Sequence, residues 1–382
     1  MIYHFSQLIL DASKGTDWEG LASPLNVFRY ITVRTAGAAV TAFLMSLWLG
    51  PKVIVWLKKL KFGQNYTDKA AEAGDFENRV LCKKGTPTMG GLLIVLTLDI
   101  TALLWARPNT LVLLTLLSMV GLAALGFYDD FIKITQQSGK GATSRVKLIV
   151  QFGLAFFIGF YLWSNAETRV LVTEIMAPFY KYPILTGATG AGILLTAFTI
   201  VGSSNAVNLT DGLDGLATGC TLLVSVVFLV LTYVAGNVNW AEYLQIPYVR
   251  GAGELTVFCG AMVGAGLGFL WFNCHPAQMF MGDTGSLALG GALGIIAVLI
   301  HQPFVLFIAG GVFVAEAVSV MLQTGWFKYT RKRFGEGRRI FLMAPLHHHF
   351  EKKGWYESQV VTRFYIAGVL CAVIALSTLK IR

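Results

Sequence analysis

Charge is what this sequence lacks. Only 13% of its 382 residues are Asp, Glu, Lys or Arg, while 55% are hydrophobic. A soluble domain runs nearer 25% charged. The shortage excludes a disordered chain and speaks against an ordinary soluble enzyme. It leaves a polytopic membrane protein as the expected class. Cysteine is also sparse: Cys82, Cys220, Cys259, Cys274 and Cys371, with no CxxC pair. That excludes a disulfide frame or a zinc knuckle, and the thiols read as small buried hydrophobes. The N-terminus lacks the basic region of a secretory signal, and its first sizeable apolar run follows Arg34. No inverted repeat or low-complexity tract is evident.

The uncharged gaps locate the spans. No charge occurs in 35–51, 108–128, 148–166, 182–210, 215–241, 255–282 or 284–315. A helix crosses the hydrocarbon layer with about 20 apolar residues. The last gap is too long for one helix. His301-Gln302-Pro303 divides it into a span ending near Ile300 and another from Phe304 to about Met321. Runs at 88–106, holding Asp99, and at 364–379 complete ten expected helices, with nine or eleven as alternatives. The chain reads as one all-α integral-membrane unit over residues 1–382.

Twenty of the thirty Lys and Arg fall in 52–84, 129–147 and 324–359. On a ten-span count these loops share one side, which the positive-inside rule places in the cytoplasm. Both termini are then periplasmic. The positive balance suits anionic headgroups and anionic substrates. Nucleic acid is a poor partner for charge confined to short loops.

The acids gather on that same side. Asp129 and Asp130 close the third span. Asn208, Asp211 and Asp214 are spaced three apart, which on a helix is one edge. Asp283 sits in Gly282-Asp283-Thr284-Gly285-Ser286 and reads either as a helix N-cap or as a metal ligand beside free N–H groups. Adjacent residues diverge on a helix, so only one of Asp129 and Asp130 is expected to face a given site. His347, His348 and His349 lack the spacing of a zinc motif and suit contacts to a phosphate. Lys83 and Lys84 precede Gly85-Thr86-Pro87-Thr88-Met89-Gly90-Gly91, an order that excludes a Walker A loop. Acids at one surface argue against a transporter, whose acids would line a mid-span path; Asp99 and Glu316 are the exceptions.

The motifs KGTPTMGG (Lys84–Gly91), FYDD (Phe127–Asp130), NAVNLTDGLDGLA (Asn205–Ala217), FMGDTGS (Phe280–Ser286) and APLHHHFEKKGW (Ala344–Trp355) occur in that order. The whole chain resembles the phospho-N-acetylmuramoyl-pentapeptide transferases, within the polyprenyl-phosphate N-acetylhexosamine-1-phosphate transferase superfamily. The triple histidine separates this branch from relatives that use UDP-N-acetylglucosamine. The 164–182 and 237–253 loops look family-variable, and no function is carried onto them.

The resemblance implies a ten-helix, usually dimeric enzyme of the bacterial inner membrane with its site on the cytoplasmic face. It implies transfer of phospho-MurNAc-pentapeptide from UDP-MurNAc-pentapeptide to undecaprenyl phosphate, giving lipid I and UMP, with Mg²⁺ required. Its site residues match Lys83 or Lys84, Asp129, Asp130, Lys133, Asn208, Asp211, Asp214, Asn273, Asp283, His347 and His348. Arg145 and Lys147 lie in a variable stretch, and a site role for them is less secure. Asp283 is the expected Mg²⁺ ligand, with Asp130 and Asp211 as further candidates. Lys133 and the Lys83/Lys84 pair are expected to hold phosphates, Asn208 and Asp214 the uridine-pyrophosphate or metal shell, and His347 and His348 the sugar-phosphate. Asp129 is either a nucleophile or a base. A phosphate monoester has a second pKa of about 6, so near neutrality it needs no strong base. That favours a single in-line displacement. A lipid-facing groove is expected to lead to Asp129.

Overall fold

A computed structural model describes residues 1–15, 19–60, 85–135 and 141–380. A short amphipathic helix α1 (Ile2–Ser13), a single turn α2 (Glu19–Ala22) and a 3₁₀ segment lead into α3 (Ile31–Lys59). Then come α4 (Gly91–Trp105), α5 (Thr110–Thr135) and α6 (Ser144–Ser164). A turn α7 (Val170–Thr173) and a two-residue hairpin of β1 (Glu174–Ile175) and β2 (Leu185–Thr186) follow. The bundle continues with α8 (Thr189–Thr210), α9 (Leu216–Ala235), the short α10 (Val238–Leu244), α11 (Gly253–Asn273) and α12 (Gly282–Leu299). It ends with α13 (Pro303–Ala309), α14 (Gly311–Phe334), α15 (Leu346–Lys352) and α16 (Glu357–Ser377).

Every expected span except that from Phe304 to Met321 coincides with one helix, because a backbone in hydrocarbon must satisfy its own hydrogen bonds. Among the described residues, eight helices are long and apolar enough to cross a membrane: α3, α5, α6, α8, α9, α11, α12 and α16. The bent pair α13–α14 makes nine if it is one span, and α4 is an apolar helix of only 15 residues. The expected single span from Phe304 to about Met321 is corrected. The chain turns through 86° between α13 and α14, at Gly310, and α14 continues to Phe334.

α12 is the axis of the bundle. Every residue from Thr284 to Leu299 is buried, as befits a helix apolar on all sides. α5 and α8 flank it. α3 and α11 pack along a stripe of Gly260, Gly264 and Gly268, where added β-carbons would collide with Thr35, Ala39 and Ser46. Near the start of both helices, Arg34 donates to both Glu254 oxygens at 2.6 and 2.8 Å. The acids of the motifs gather at the other end of the bundle.

Candidate active site

The C-terminal end of α5 lies directly against the N-terminus of α12. Gly126 makes this possible: a β-carbon there would strike the Asp283 carbonyl. One turn later Asp129 and Asp130, both fully buried, flank that junction from two sides.

Asp130 faces α12. One of its oxygens accepts from Thr284 N at 3.0 Å and Thr284 Oγ1 at 2.8 Å, the other from Asp283 N at 3.2 Å. The carboxylate thus satisfies N–H groups that a helix N-terminus leaves free. Asp283 itself does not cap the helix. It stands in the first turn, where the dipole favours an anion.

Asp129 faces α6. Its Oδ1 accepts from Ala142 N at 2.7 Å. Its Oδ2 lies 2.6 Å from Lys133 Nζ and 2.7 Å from Lys147 Nζ. Both lysines also reach Asp283 Oδ2, Lys147 at 2.7 Å and Lys133 at 3.2 Å. Asn208 donates to Asp283 Oδ1 at 3.0 Å and to Ser286 Oγ at 2.9 Å. Asp129, Asp130 and Asp283 bring one oxygen each within 4.8 Å of one another. The expectation that only one of the adjacent aspartates reaches a given site is therefore corrected. They diverge, but α5 ends between α6 and α12, and both sides belong to one cluster. Three carboxylates share two ammonium groups.

Asp211 approaches from the end of α8, where its carboxyl accepts from the Gly282 N–H. Burial, and then the nearby Asp283 and Asp130 carboxylates, push it up to about 7. Asp214 faces away from this cluster. Its Oδ2 lies 3.1 Å from His275 Nδ1 and accepts from Ala277 N at 3.2 Å. Asn273 braces the same turn, accepting from Gly215 N at 3.2 Å and Thr218 Oγ1 at 2.9 Å.

His347 is buried against Gly212, where a β-carbon would meet its Nε2. Its backbone N–H donates to Glu316 Oε1 at 3.1 Å, and its Nδ1 lies 3.2 Å from the same oxygen. Glu316 therefore pairs inside the bundle. Burial lowers the imidazole pKa against the opposing pull of Glu316. The His348 ring lies tilted at 60° against that of His347, with ring centres 4.2 Å apart, and reaches Glu351 at 2.8 Å. His349 turns aside to accept from Leu342 N at 3.1 Å. The triplet joins no metal-ligating group among the described residues.

Lys83 and Lys84 lie outside the described residues. The rest of their motif is anchored at the site. Gly90 N and Gly91 N donate to Phe280 O and Met281 O at 2.8 Å, and Phe280 N donates to Pro87 O at 2.9 Å. An apolar cavity of about 340 Å³ between Phe156, Trp163, Ile193 and Leu194 opens at the far ends of α6 and α8 from Asp129.

A phospho-N-acetylmuramoyl-pentapeptide-transferase signature matches residues 83–95. The model of glycosyl transferase family 4 matches residues 112–301. A phospho-N-acetylmuramoyl-pentapeptide-transferase of Desulfotalea psychrophila is 51% identical over 94% of this chain and 96% of its own length. The enzyme of the same name from Opitutus terrae is 47% identical over 96% and 98%. The chain belongs to the phospho-N-acetylmuramoyl-pentapeptide transferase family. That of Syntrophus aciditrophicus is 48% identical over 94% and 96%.

Within this family fold, Lys147, whose site role the sequence left less secure, joins the acid cluster. Its signal was a basic first turn, Arg145 and Lys147, opening an apolar helix. The dipole disfavours a cation there, so an acid partner was called for. His275, Glu357 and Tyr365 carried no comparable signal.

Proposed function

We propose that the chain transfers phospho-MurNAc-pentapeptide from UDP-MurNAc-pentapeptide to undecaprenyl phosphate, giving lipid I and UMP. The observation that carries this reading is the cluster of Asp129, Asp130 and Asp283 with Lys133 and Lys147 at one end of an apolar bundle, in a chain of this family. The basic residues at 52–84 and 324–359 support a cytoplasmic face for that end. They support ten spans in the inner membrane with both termini periplasmic. Membrane lipids surround the exposed apolar side chains, and a homodimer is the expected assembly.

The reaction brings together a lipid phosphate and a sugar pyrophosphate, two anions. Catalysis of phosphoryl transfer is mostly positioning and charge stabilisation. Lys133 and Lys147 would hold phosphate oxygens, and the sequence motif adds Lys83 or Lys84 as a further candidate for that role. A hard divalent cation suits three carboxylates. Asp283 would hold Mg²⁺, with Asp130 and Asp211 as the further candidate ligands. When bound, the ion supplies Lewis-acid polarisation and a template for the pyrophosphate. His348 would contact the sugar-phosphate with the buried His347 behind it, Asn208 holds Asp283, and Asp214 and Asn273 would shape the adjoining turn for the uridine end.

Asp129 has both oxygens engaged, by the Ala142 N–H and two ammonium groups. A carboxylate so occupied is a poor attacking group. The lipid phosphate, already deprotonated near neutrality, attacks the β-phosphate directly in a single in-line displacement, and UMP leaves. A phosphoryl-enzyme trapped from the UDP substrate without acceptor would overturn this step.

The test uses protein in detergent with undecaprenyl phosphate and Mg²⁺. UMP release is compared for UDP-MurNAc-pentapeptide and UDP-N-acetylglucosamine, in wild type and Asp283→Asn. Turnover of the muramoyl substrate alone, lost in the variant, supports the proposal. Turnover of UDP-N-acetylglucosamine alone refutes the assignment of the histidine loop.

A further inference from the structure

The turn from Asp211 to Gly215 is gripped by a helix that contributes nothing to the acid cluster. The turn leaves α8 with Asp211 at Gly282, then swings toward the N-terminus of α9. Its second half makes two hydrogen bonds to α16, the last helix of the bundle. The Asp214 N–H donates to Glu357 Oε1 at 2.9 Å. Tyr365 Oη donates to the Gly215 carbonyl at 2.7 Å. Glu357 and Tyr365 lie eight residues apart, about two helical turns, so they meet adjacent residues of the turn from one face of α16. Glu357 also stands beside His275, with Oε2 3.7 Å from Nδ1, and His275 in turn touches Asp214.

Both N–H groups and the Gly215 carbonyl of this pair are thereby engaged. Gly215 N goes to Asn273, Asp214 N to Glu357 and Gly215 O to Tyr365. Two of these partners come from more than 140 positions further along the chain. A glycine-rich turn left to itself samples many conformations. A turn that must present Asp211 to one side and Asp214 to the other has to be held.

We propose that Glu357 and Tyr365 are positioning residues of the transferase site, acting on the UDP-substrate subsite through the Asp211–Gly215 turn. The inference rests on the transferase reading given above. It distinguishes these two residues from ordinary helix-packing groups: loosening them should weaken the UDP substrate and leave the lipid acceptor alone.

The experiment uses the full chain in detergent with Tyr365→Phe, Glu357→Gln and Glu357→Ala. KM and kcat are measured for each substrate with the other saturating. Hydrogen exchange is followed in the peptide spanning the turn. Loss of one neutral hydrogen bond predicts a KM for the UDP substrate about fivefold higher in Tyr365→Phe, and Glu357→Ala should lose about tenfold. Glu357→Gln keeps an acceptor oxygen and should stay within about threefold of wild type. The KM for undecaprenyl phosphate should not move. The amides of the turn should exchange faster in Tyr365→Phe and Glu357→Ala. Unchanged KM for the UDP substrate, an equal rise for both substrates, a Gln variant as poor as the Ala variant, or unchanged exchange would each overturn the inference. Absence of UMP release by wild type would overturn the transferase reading instead, and the exchange comparison would still decide whether α16 holds the turn.

Discussion

Replacing Lys147 by Gln is the sharpest perturbation of the charge cluster. The ammonium sits 2.7 Å from Asp129 Oδ2 and 2.7 Å from Asp283 Oδ2, with its side chain only 20% exposed. At an effective dielectric constant of about 20, each such pair attracts with about 6 kcal/mol before hydration is counted. Lost hydration offsets most of that, leaving about 1.5–3 kcal/mol for each charge-assisted hydrogen bond. Glutamine can replace one bond but no charge. The expected net loss in transition-state stabilisation is about 3 kcal/mol, or about two orders of magnitude in kcat/KM. Lys147→Arg keeps the charge but spreads it over a planar fork, and should cost about tenfold. The assay is UMP release at saturating undecaprenyl phosphate, with a melting curve for each variant. Asp283→Asn and the double variant complete a cycle, in which contacting residues should be strongly non-additive. A Gln variant within about threefold of wild type, or strictly additive losses, would refute the assignment of Lys147 to the site.

Asp130→Ala should lower stability by about 2–3 kcal/mol, since it frees the N-terminus of α12. Asp130→Asn, which keeps one acceptor, should lose less; equal melting temperatures for all three proteins would show that the cap does not matter. Chelation of divalent cations should abolish UMP release and Mg²⁺ should restore it, whereas full turnover in chelator would exclude a metal role for the carboxylates. His301 lies between α12 and α13, and burial pushes its pKa down to about 4. The unfolded chain takes up that proton near pH 6.5 while the fold refuses it. Stability should therefore fall as pH drops from about 6.5 to about 4, by up to about 3 kcal/mol. His301→Asn, whose side chain tolerates the local φ of +57°, should flatten that slope; a slope unchanged in the variant would assign it to other groups.

The helices were legible because hydrocarbon cannot hydrate a charge, so each uncharged gap had to become a span. The gathering of Asp129, Asp211, Asp214 and Asp283 at one end was legible for a related reason: spans alternate, and every one of these acids closes or opens a span on the same side. Contacts set by helix rotation were not legible. Nothing in the sequence tells that Asp130 turns to Thr284 while Asp129 turns to Lys147, since both follow from the close approach that Gly126 permits. The bend at Gly310 was hidden for another reason. Apolar residues continue on both sides of it, so no composition change marks the break. Glu316 showed only that something polar lay inside the bundle; its partner, His347, arrives from α15, 31 positions later.

The placement of the cluster also explains how an apolar bundle tolerates it. Isolated carboxylates in such surroundings would cost several kcal/mol each. Here each is offset by local structure before any substrate arrives. Asp130 is neutralised in part by the positive end of α12, Asp283 by that same end and by Lys147, and Asp129 by both lysines. One formal negative charge remains over the three acids and two ammonium groups. A cluster balanced in this way is stable while empty of substrate, yet it repels a pyrophosphate only weakly, and a bound divalent cation reverses its sign. On the proposed function the lysines would serve the fold and the reaction through the same contacts. Their loss should be felt in both, which makes the separation of melting temperature from kcat/KM the measurement on which the reading of this site turns.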